Sequence, residues 1–145
     1  MKSTAILELM LKDHSKIVRL LNEVEKVIGQ DSITTMKVFD KFEWELEKHI
    51  FTEEKAIFTS YAPTNITEGY AMVPELIKEH NEILNKLRLM RKNLIKQRTS
   101  DFQGFKEALM DHKNFEEQNL YPKLDQELDE SQRKMIVEKI SEIVY

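Results

Sequence analysis

The sequence contains no cysteine, and glycine and proline occur only three times each among its 145 residues. The absence of cysteine excludes disulfides, cysteine nucleophiles, cysteine-ligated zinc, iron–sulfur clusters and thiolate-ligated haem. So few turn-forming residues disfavour an all-β fold, because such a fold needs many tight turns. The composition therefore predicts a helical protein.

Basic clusters and long apolar segments are also missing. The net charge is −4, and no run of basic residues is longer than a pair such as Arg91–Lys92, so we expect no nucleic-acid partner. No apolar segment approaches the roughly 18 residues of a membrane span, and charge interrupts the N-terminal segment too early for a signal peptide. The sequence predicts a single domain over residues 1–145, located in the cytoplasm and without a membrane partner.

Apolar residues recur at helical spacing in four long stretches and one short stretch. The long stretches cover residues 7–28, 39–57, 73–94 and 105–120, and the short one covers residues 136–144. Long amphipathic helices joined by short connections are typical of an up-down-up-down bundle. We therefore expect an all-α four-helix bundle with a short C-terminal fifth helix.

Capping residues predict several helix ends. Gly29 is expected to end the first helix, and the polar residues that follow it are expected to begin the second. The second helix is predicted to end near residues 62–63. The fourth is predicted to stop near residues 121–122, with an irregular continuation to residue 128, and Ser131 is the candidate cap of the fifth.

Each long helix carries one histidine on its apolar stripe, and these are the only histidines in the chain: His14, His49, His80 and His112. Residues on antiparallel neighbours lie side by side when the turn falls midway between them. The midpoints between successive histidines, at about residues 31, 64 and 96, fall at or near the predicted turns. With a rise of about 1.5 Å per residue, all four imidazoles should therefore lie within one or two helical turns of the same height in the bundle. A single such histidine would more simply be a core residue, whereas four in one layer are typical of a ligand set.

Two glutamates join this layer. His49 and Glu53 form a His-x-x-x-Glu pair, as do His112 and Glu116, so each glutamate lies one turn beyond its histidine on the same face. Both occupy stripe positions where an apolar residue is expected, and a buried carboxylate is costly unless it is paired or binds a metal. The second and fourth helices run parallel in the predicted bundle. Both carboxylates are therefore displaced in the same direction and can bridge two ions.

The chain also repeats itself. Residues 13–17, Asp-His-Ser-Lys-Ile, resemble residues 79–83, Glu-His-Asn-Glu-Ile, and the two His-x-x-x-Glu segments correspond in the same way. Residues 5–60 and 71–123 thus form two copies of one helical hairpin, each with two histidines and one glutamate. Two equivalent half-sites imply two metal ions that share the carboxylates.

With these motifs the sequence resembles the hemerythrin family, the histidine–histidine–glutamate cation-binding domains. The most specific pieces are the His-x-x-x-Glu-Glu segments at residues 49–54 and 112–117, the second of which continues into Leu-Tyr-Pro at residues 120–122. The resemblance covers nearly the whole chain. It implies a four-helix bundle that holds two non-haem iron ions with a bridging oxo or hydroxo group.

The resemblance also implies an assignment of ligands. His14 and His49 would hold one iron, the histidines of the third and fourth helices would hold the other, and Glu53 and Glu116 would bridge them. Bridging glutamates with terminal histidines are typical of di-iron and di-manganese proteins, although imidazole alone also suits zinc, copper or nickel.

Two departures from the family pattern affect the expected chemistry. Oxygen-carrying hemerythrins have a fifth histidine one turn after that of the third helix, and Leu84 stands there instead, which leaves the third- and fourth-helix iron less saturated. They also place the fourth-helix carboxylate ligand five residues after its histidine, and the residue at that spacing here is Glu117. Helical phase favours Glu116, and we expect Glu54 and Glu117 to be solvated.

Three functions are compatible with these residues. The preferred one is binding of a small diatomic ligand, O2 or NO, for carrying, storage or sensing. The second is a di-iron enzyme that handles NO, peroxide or reactive oxygen, although the absence of cysteine disfavours the repair of iron clusters. The third is an iron-holding or structural bundle, which could pair as a homodimer through its fifth helix.

Aromatic residues near the ligands allow two interpretations. Trp44, Phe51 and Phe115 either pack in the core or line a dry pocket around the metals. Tyr61 and Tyr121, at matching helix ends, are expected to cap the core.

Overall fold

The computed structural model describes residues 5–58, 68–96 and 101–144, and every regular element within these ranges is helical. The α-helices are α1 (Ala5–Val27), α2 (Ser32–Thr52), α3 (Glu68–Ile95), α4 (Phe102–Phe115), α5 (Tyr121–Glu127) and α6 (Glu130–Val144). A π-helical turn, Glu53–Ile57, extends α2, and a second one, Glu116–Leu120, joins α4 to α5 without a break. The described chain therefore forms four long helical segments and a short C-terminal one, which confirms the predicted fold class.

The first turn of the bundle follows its predicted capping pattern. Gly29 has a φ of +92°, a left-handed conformation that glycine adopts without strain at the end of a helix. Asp31 then caps α2 by accepting a hydrogen bond from the backbone N–H of Thr34 at 2.8 Å. The predicted end of the second helix at residues 62–63 lies outside the described residues.

Two predicted boundaries are wrong. The fourth segment does not stop near residues 121–122. It continues through Pro122 as regular α-helix to Glu127, so the predicted continuation to about residue 128 is present but is not irregular. The cap of the last helix is Asp129 rather than Ser131. Asp129 accepts from the N–H of Gln132 and donates its own N–H to the Gln132 side chain, at 2.8 and 3.1 Å, in a reciprocal capping box.

The apolar core consists of two clusters separated by the histidine layer. Met10 and Leu76, one turn before the histidines of α1 and α3, belong to one cluster, and Ile17 and Ile83, one turn after them, belong to the other. Leu76 is therefore the core residue of that turn, whereas the adjacent Ile77 is exposed. This arrangement leaves one polar level in an otherwise apolar bundle.

The short C-terminal helix closes one end of the bundle. Its predicted apolar residues Ile136 and Ile140 are buried in the same cluster as Met10. No helix among the described residues is long and apolar enough to cross a membrane.

Candidate metal centre

Six side chains from the four long segments meet at the polar level, and they are the six predicted from the sequence: His14, His49, Glu53, His80, His112 and Glu116. None of them is more than 6% exposed. They form two groups of four, in each of which one ligand atom per residue lies within 4.8 Å of the others. We call the group with His14 and His49 the first half-site and the group with His80 and His112 the second half-site. Both glutamates belong to both groups.

The carboxylates lie between the half-sites. Glu53 Oε1 is 2.7 Å from His49 Nε2 in the first half-site and 3.6 Å from His80 Nε2 in the second. Glu116 places one carboxylate oxygen near each half-site. Its Oε1 lies 3.5 Å from His14 Nε2 in the first half-site, and its Oε2 lies 3.2 Å from His112 Nε2 in the second. Either glutamate can therefore be shared by two cations.

Several polar atoms at this level face one another as ion pairs but make no hydrogen bond of good geometry. Among the described residues, five buried atoms of the centre have no hydrogen-bond partner: Glu53 Oε1, His80 Nδ1, His80 Nε2, His112 Nε2 and Glu116 Oε2. Leaving one such atom unpaired costs about 1–3 kcal/mol. A pair of cations would satisfy the imidazole Nε2 and carboxylate oxygens together, so the residues present fit a two-metal centre.

A second layer of four carboxylates, which we call the outer carboxylates, faces the Nδ1 atoms of the four histidines. The pairs are His14 with Glu117 at 2.7 Å, His49 with Asp13 at 2.5 Å, His112 with Glu79 at 2.9 Å, and His80 with Glu54 at a longer 3.6 Å. Such carboxylate–histidine pairs fix the ring orientation and leave Nε2 free for a metal. The expectation that Glu54 and Glu117 are solvated is therefore incomplete, because both face a histidine from a different helix.

The outer carboxylates repeat with the hairpins. The residue before the first histidine of each hairpin, Asp13 or Glu79, faces the second histidine of the same hairpin. The residue after each shared glutamate, Glu54 or Glu117, faces the first histidine of the other hairpin. The repeat seen in the sequence thus has a counterpart in the contacts of both layers.

The pKa values of the centre reflect competition between burial and neighbouring charge. Burial alone lowers the pKa of a histidine, but for His80 the carboxylates of Glu116 and Glu53 outweigh it and raise the pKa to about 10. The pKa of His49 is likewise raised well above its usual value, because the Glu53 charge and the Asp13 hydrogen bond outweigh burial. The raised pKa values favour protonated His49 and His80 in the absence of a metal, and a metal that binds their nitrogens must displace those protons.

Both shared glutamates begin a π-helical turn. The backbone N–H of Phe58 donates to the carbonyl of Glu53, and that of Tyr121 donates to the carbonyl of Glu116. Such turns occur frequently at functional sites. In a regular α-helix, the residue five positions after the glutamate would point about 140° away from it. The π turn brings this residue back above the glutamate. Phe58 and Tyr121 consequently face the centre.

Tyr121 is the site residue that the sequence pattern did not reveal. Its ring is fully buried, and its hydroxyl oxygen lies 3.0 Å from Glu53 Oε2, 3.3 Å from Glu116 Oε1 and 3.2 Å from His14 Nε2. Burial and the charges of the two glutamates raise the pKa of this hydroxyl well above its usual value. The Tyr121 ring packs in the same apolar cluster as Met10, as expected of a residue that caps the core, while its hydroxyl contacts the ligand candidates. Tyr61 lies outside the described residues.

An apolar cavity borders the histidine side of the centre. Its volume is about 20 Å³, and its apolar walls include Ile17, Leu46, Ile50, Ile83 and Leu109. A space of this size holds about one water-sized molecule.

The aromatic residues expected to line the pocket are instead exposed. Trp44, Phe51 and Phe115 are 66%, 51% and 40% exposed. Trp44 lies five residues before His49 and Phe51 two residues after it, so on an α-helix they point about 140° and 200° away from that histidine. Phe115 is rotated about 100° from the adjacent Glu116. Both the core and the pocket interpretations of these three residues were therefore wrong.

Comparison with known proteins identifies the family. Residues 5–124 match the hemerythrin HHE cation-binding domain. Comparisons with curated proteins and with solved structures give no significant match. Because the matched segment covers most of the chain and includes all six buried ligand candidates, the chain belongs to the hemerythrin family.

Proposed function

We propose that this protein holds two non-haem iron ions, one in each half-site, and binds a small diatomic ligand, O2 or NO, for carrying, storage or sensing. The observation that carries the proposal is the pair of buried four-residue groups that share Glu53 and Glu116. The hydrogen-bonding capacity that remains unused at their centre supports a metal.

The donor set favours iron over a structural metal. Each half-site offers two imidazole nitrogens and two shared carboxylates, about four protein ligands per ion. Structural zinc would use four ligands in a closed tetrahedron, whereas carboxylate-bridged pairs in bundle cores are typical of iron and manganese. Iron held here would retain open coordination positions and supply the electrons with which O2 or NO is bound.

The protein contributes a largely apolar approach to those positions. The cavity beside the histidines has walls such as Ile17, Ile83 and Leu109 and room for one small molecule. Aliphatic walls exclude water and dissolved ions and do not hinder an uncharged diatomic molecule. The outer carboxylates meanwhile hold the imidazoles in a fixed orientation, so the ligand set does not need to rearrange when a metal binds.

The test is the visible spectrum of the protein loaded anaerobically with ferrous iron. We expect a charge-transfer band that forms in air and disappears on degassing. Rapid, irreversible oxidation with consumption of O2, NO or peroxide would favour the enzyme instead. Iron that binds without any reaction with these gases would favour an iron-holding bundle.

A pair of glutamate variants on the same helical segment provides the control. Glu53→Gln removes a shared carboxylate, and it should abolish the band and reduce the bound iron. Glu47→Gln changes an exposed residue of α2 by the same chemistry, and its spectrum should match that of the unaltered protein. Equal spectra for both variants would contradict the proposed site.

A further inference from the structure

The two hairpins differ at one position next to the centre. Tyr121 and Phe58 each lie five residues after a shared glutamate, at the end of a π turn. The Tyr121 ring lies against His14 with 5.6 Å between ring centroids, and the Phe58 ring stacks on His80 at the same separation. The fold therefore places an aromatic ring beside each half-site, but of these two rings only that of Tyr121, beside the first half-site, carries a hydroxyl group.

That hydroxyl lies among the ligand atoms of the first half-site. Its oxygen is 3.0–3.3 Å from His14 Nε2 and from one oxygen each of Glu53 and Glu116. Two atoms that bind one ion at about 2.1 Å each, at angles between a right angle and a tetrahedral angle, lie about 3.0–3.4 Å apart. The spacing is thus that of neighbouring ligands around one ion.

The Tyr121 hydroxyl cannot satisfy both glutamates by itself. A phenol has one O–H to donate, so it can donate to only one of the two carboxylate oxygens that lie within 3.3 Å of it. A cation at the first half-site would contact all of these oxygens at once. Because Tyr121 is fully buried, no water in the bulk competes for that role.

We propose that the Tyr121 oxygen is a seventh protein ligand of the two-metal centre, bound to the ion of the first half-site, so that the two half-sites are chemically unequal. This inference rests on the proposed function, since it requires that the centre holds metal. On binding, the phenol O–H bond breaks, an oxygen–metal bond forms, and the proton leaves to the solvent. Among the described residues the second half-site, where Phe58 stacks on His80, has no such ligand, and an ion held there would be more open to the diatomic molecule.

The test is the ferric protein, because a phenolate bound to Fe(III) gives a visible charge-transfer band in which tyrosine ring vibrations are enhanced by resonance Raman scattering. We expect these vibrations in the unaltered protein and their complete loss in Tyr121→Phe, with two irons still bound per chain. Phe58→Leu, which alters the corresponding ring without a hydroxyl, should keep them. Enhanced tyrosine vibrations that persist in Tyr121→Phe would overturn the assignment.

A second measurement covers the case in which Tyr121→Phe does not fold. Unaltered protein produced with ring-deuterated tyrosine should show the enhanced vibrations shifted to lower frequency. If the unaltered protein binds two irons but shows no enhanced tyrosine vibrations, this inference fails and the proposed function stands. If it binds no iron, the proposed function itself fails.

Discussion

At the scale of single residues, the outer carboxylates control how firmly the imidazoles are held. Glu79 reaches His112 Nδ1 at 2.9 Å from the neighbouring helix. Changing such a partner typically weakens metal binding about 10–100-fold. We predict that Glu79→Gln lowers ferrous affinity at the second half-site by about tenfold or more, as measured by anaerobic titration.

Glu82 offers a control one turn further along the same helix. It is exposed, and Glu82→Gln removes the same charge without altering a histidine contact. Its ferrous affinity should stay within about twofold of the unaltered protein. Equal losses in both variants would mean that general charge, rather than orientation of His112, determines the affinity.

We expect Leu84 to leave an iron in the second half-site less saturated than a histidine at this position would. It lies one turn after His80 and packs, partly buried, against the cluster on the histidine side of the centre. We predict that Leu84→His supplies a further imidazole and slows autoxidation of the ferrous protein, which can be followed by the rate of spectral change in air. Leu84→Met, of similar volume, should autoxidise like the unaltered protein. An unchanged rate in Leu84→His would contradict the idea that this position is open.

At the scale of the elements, the start of α1 is fixed by a side chain from a distant helix. Asp125 of α5 accepts hydrogen bonds from the backbone N–H groups of Ile6 and Leu7, at 3.1 and 3.0 Å, and is itself buried. These two N–H groups belong to the first turn, where an α-helix has no internal acceptor.

We predict that Asp125→Ala lowers the free energy of unfolding of the metal-free protein by about 1–3 kcal/mol, since it leaves buried donors unpaired. Urea unfolding followed by circular dichroism would measure it. Asp31→Ala, which removes an exposed cap, should lower the free energy of unfolding by less. A smaller loss for Asp125→Ala than for Asp31→Ala would show that the distant cap contributes little.

The helices themselves were predictable, but their π turns were not. Regular α-helical spacing placed Glu53 and Glu116 on the buried face because each lies four residues after a histidine. The same spacing would point Tyr121 about 140° away from Glu116, and a π turn cannot be found from apolar residues at α-helical spacing. The outer carboxylates were missed for a related reason, since Glu117 serves a histidine of another helix.

At the scale of the whole molecule, the shared polar level explains why the ligand set could be found from sequence. One histidine per helix, each equally far from the turns, defines a layer without any knowledge of side-chain contacts. The layer does not determine which residues line the cavity, because Ile50 and Phe51 differ by only one position and yet one is buried and the other exposed.

Metal binding should also stabilise the whole bundle. A ligand that binds only the folded state at a hundredfold excess over its dissociation constant contributes about 2.7 kcal/mol. For a domain of this size we predict that removal of iron with a chelator lowers the thermal midpoint by about 5–10 °C for each ion, as measured by calorimetry. Glu53→Gln protein should show little further loss on chelation. A midpoint that does not respond to iron in the unaltered protein would mean that the buried carboxylates are stable without a cation.

The most direct test of the two-metal centre is a crystal structure of the iron-loaded protein with anomalous diffraction data collected at the iron absorption edge. We predict two anomalous peaks per chain, one beside His14 and His49 and the other beside His80 and His112, with Glu53 and Glu116 between them. A single peak, or peaks away from these six residues, would contradict the two-metal centre.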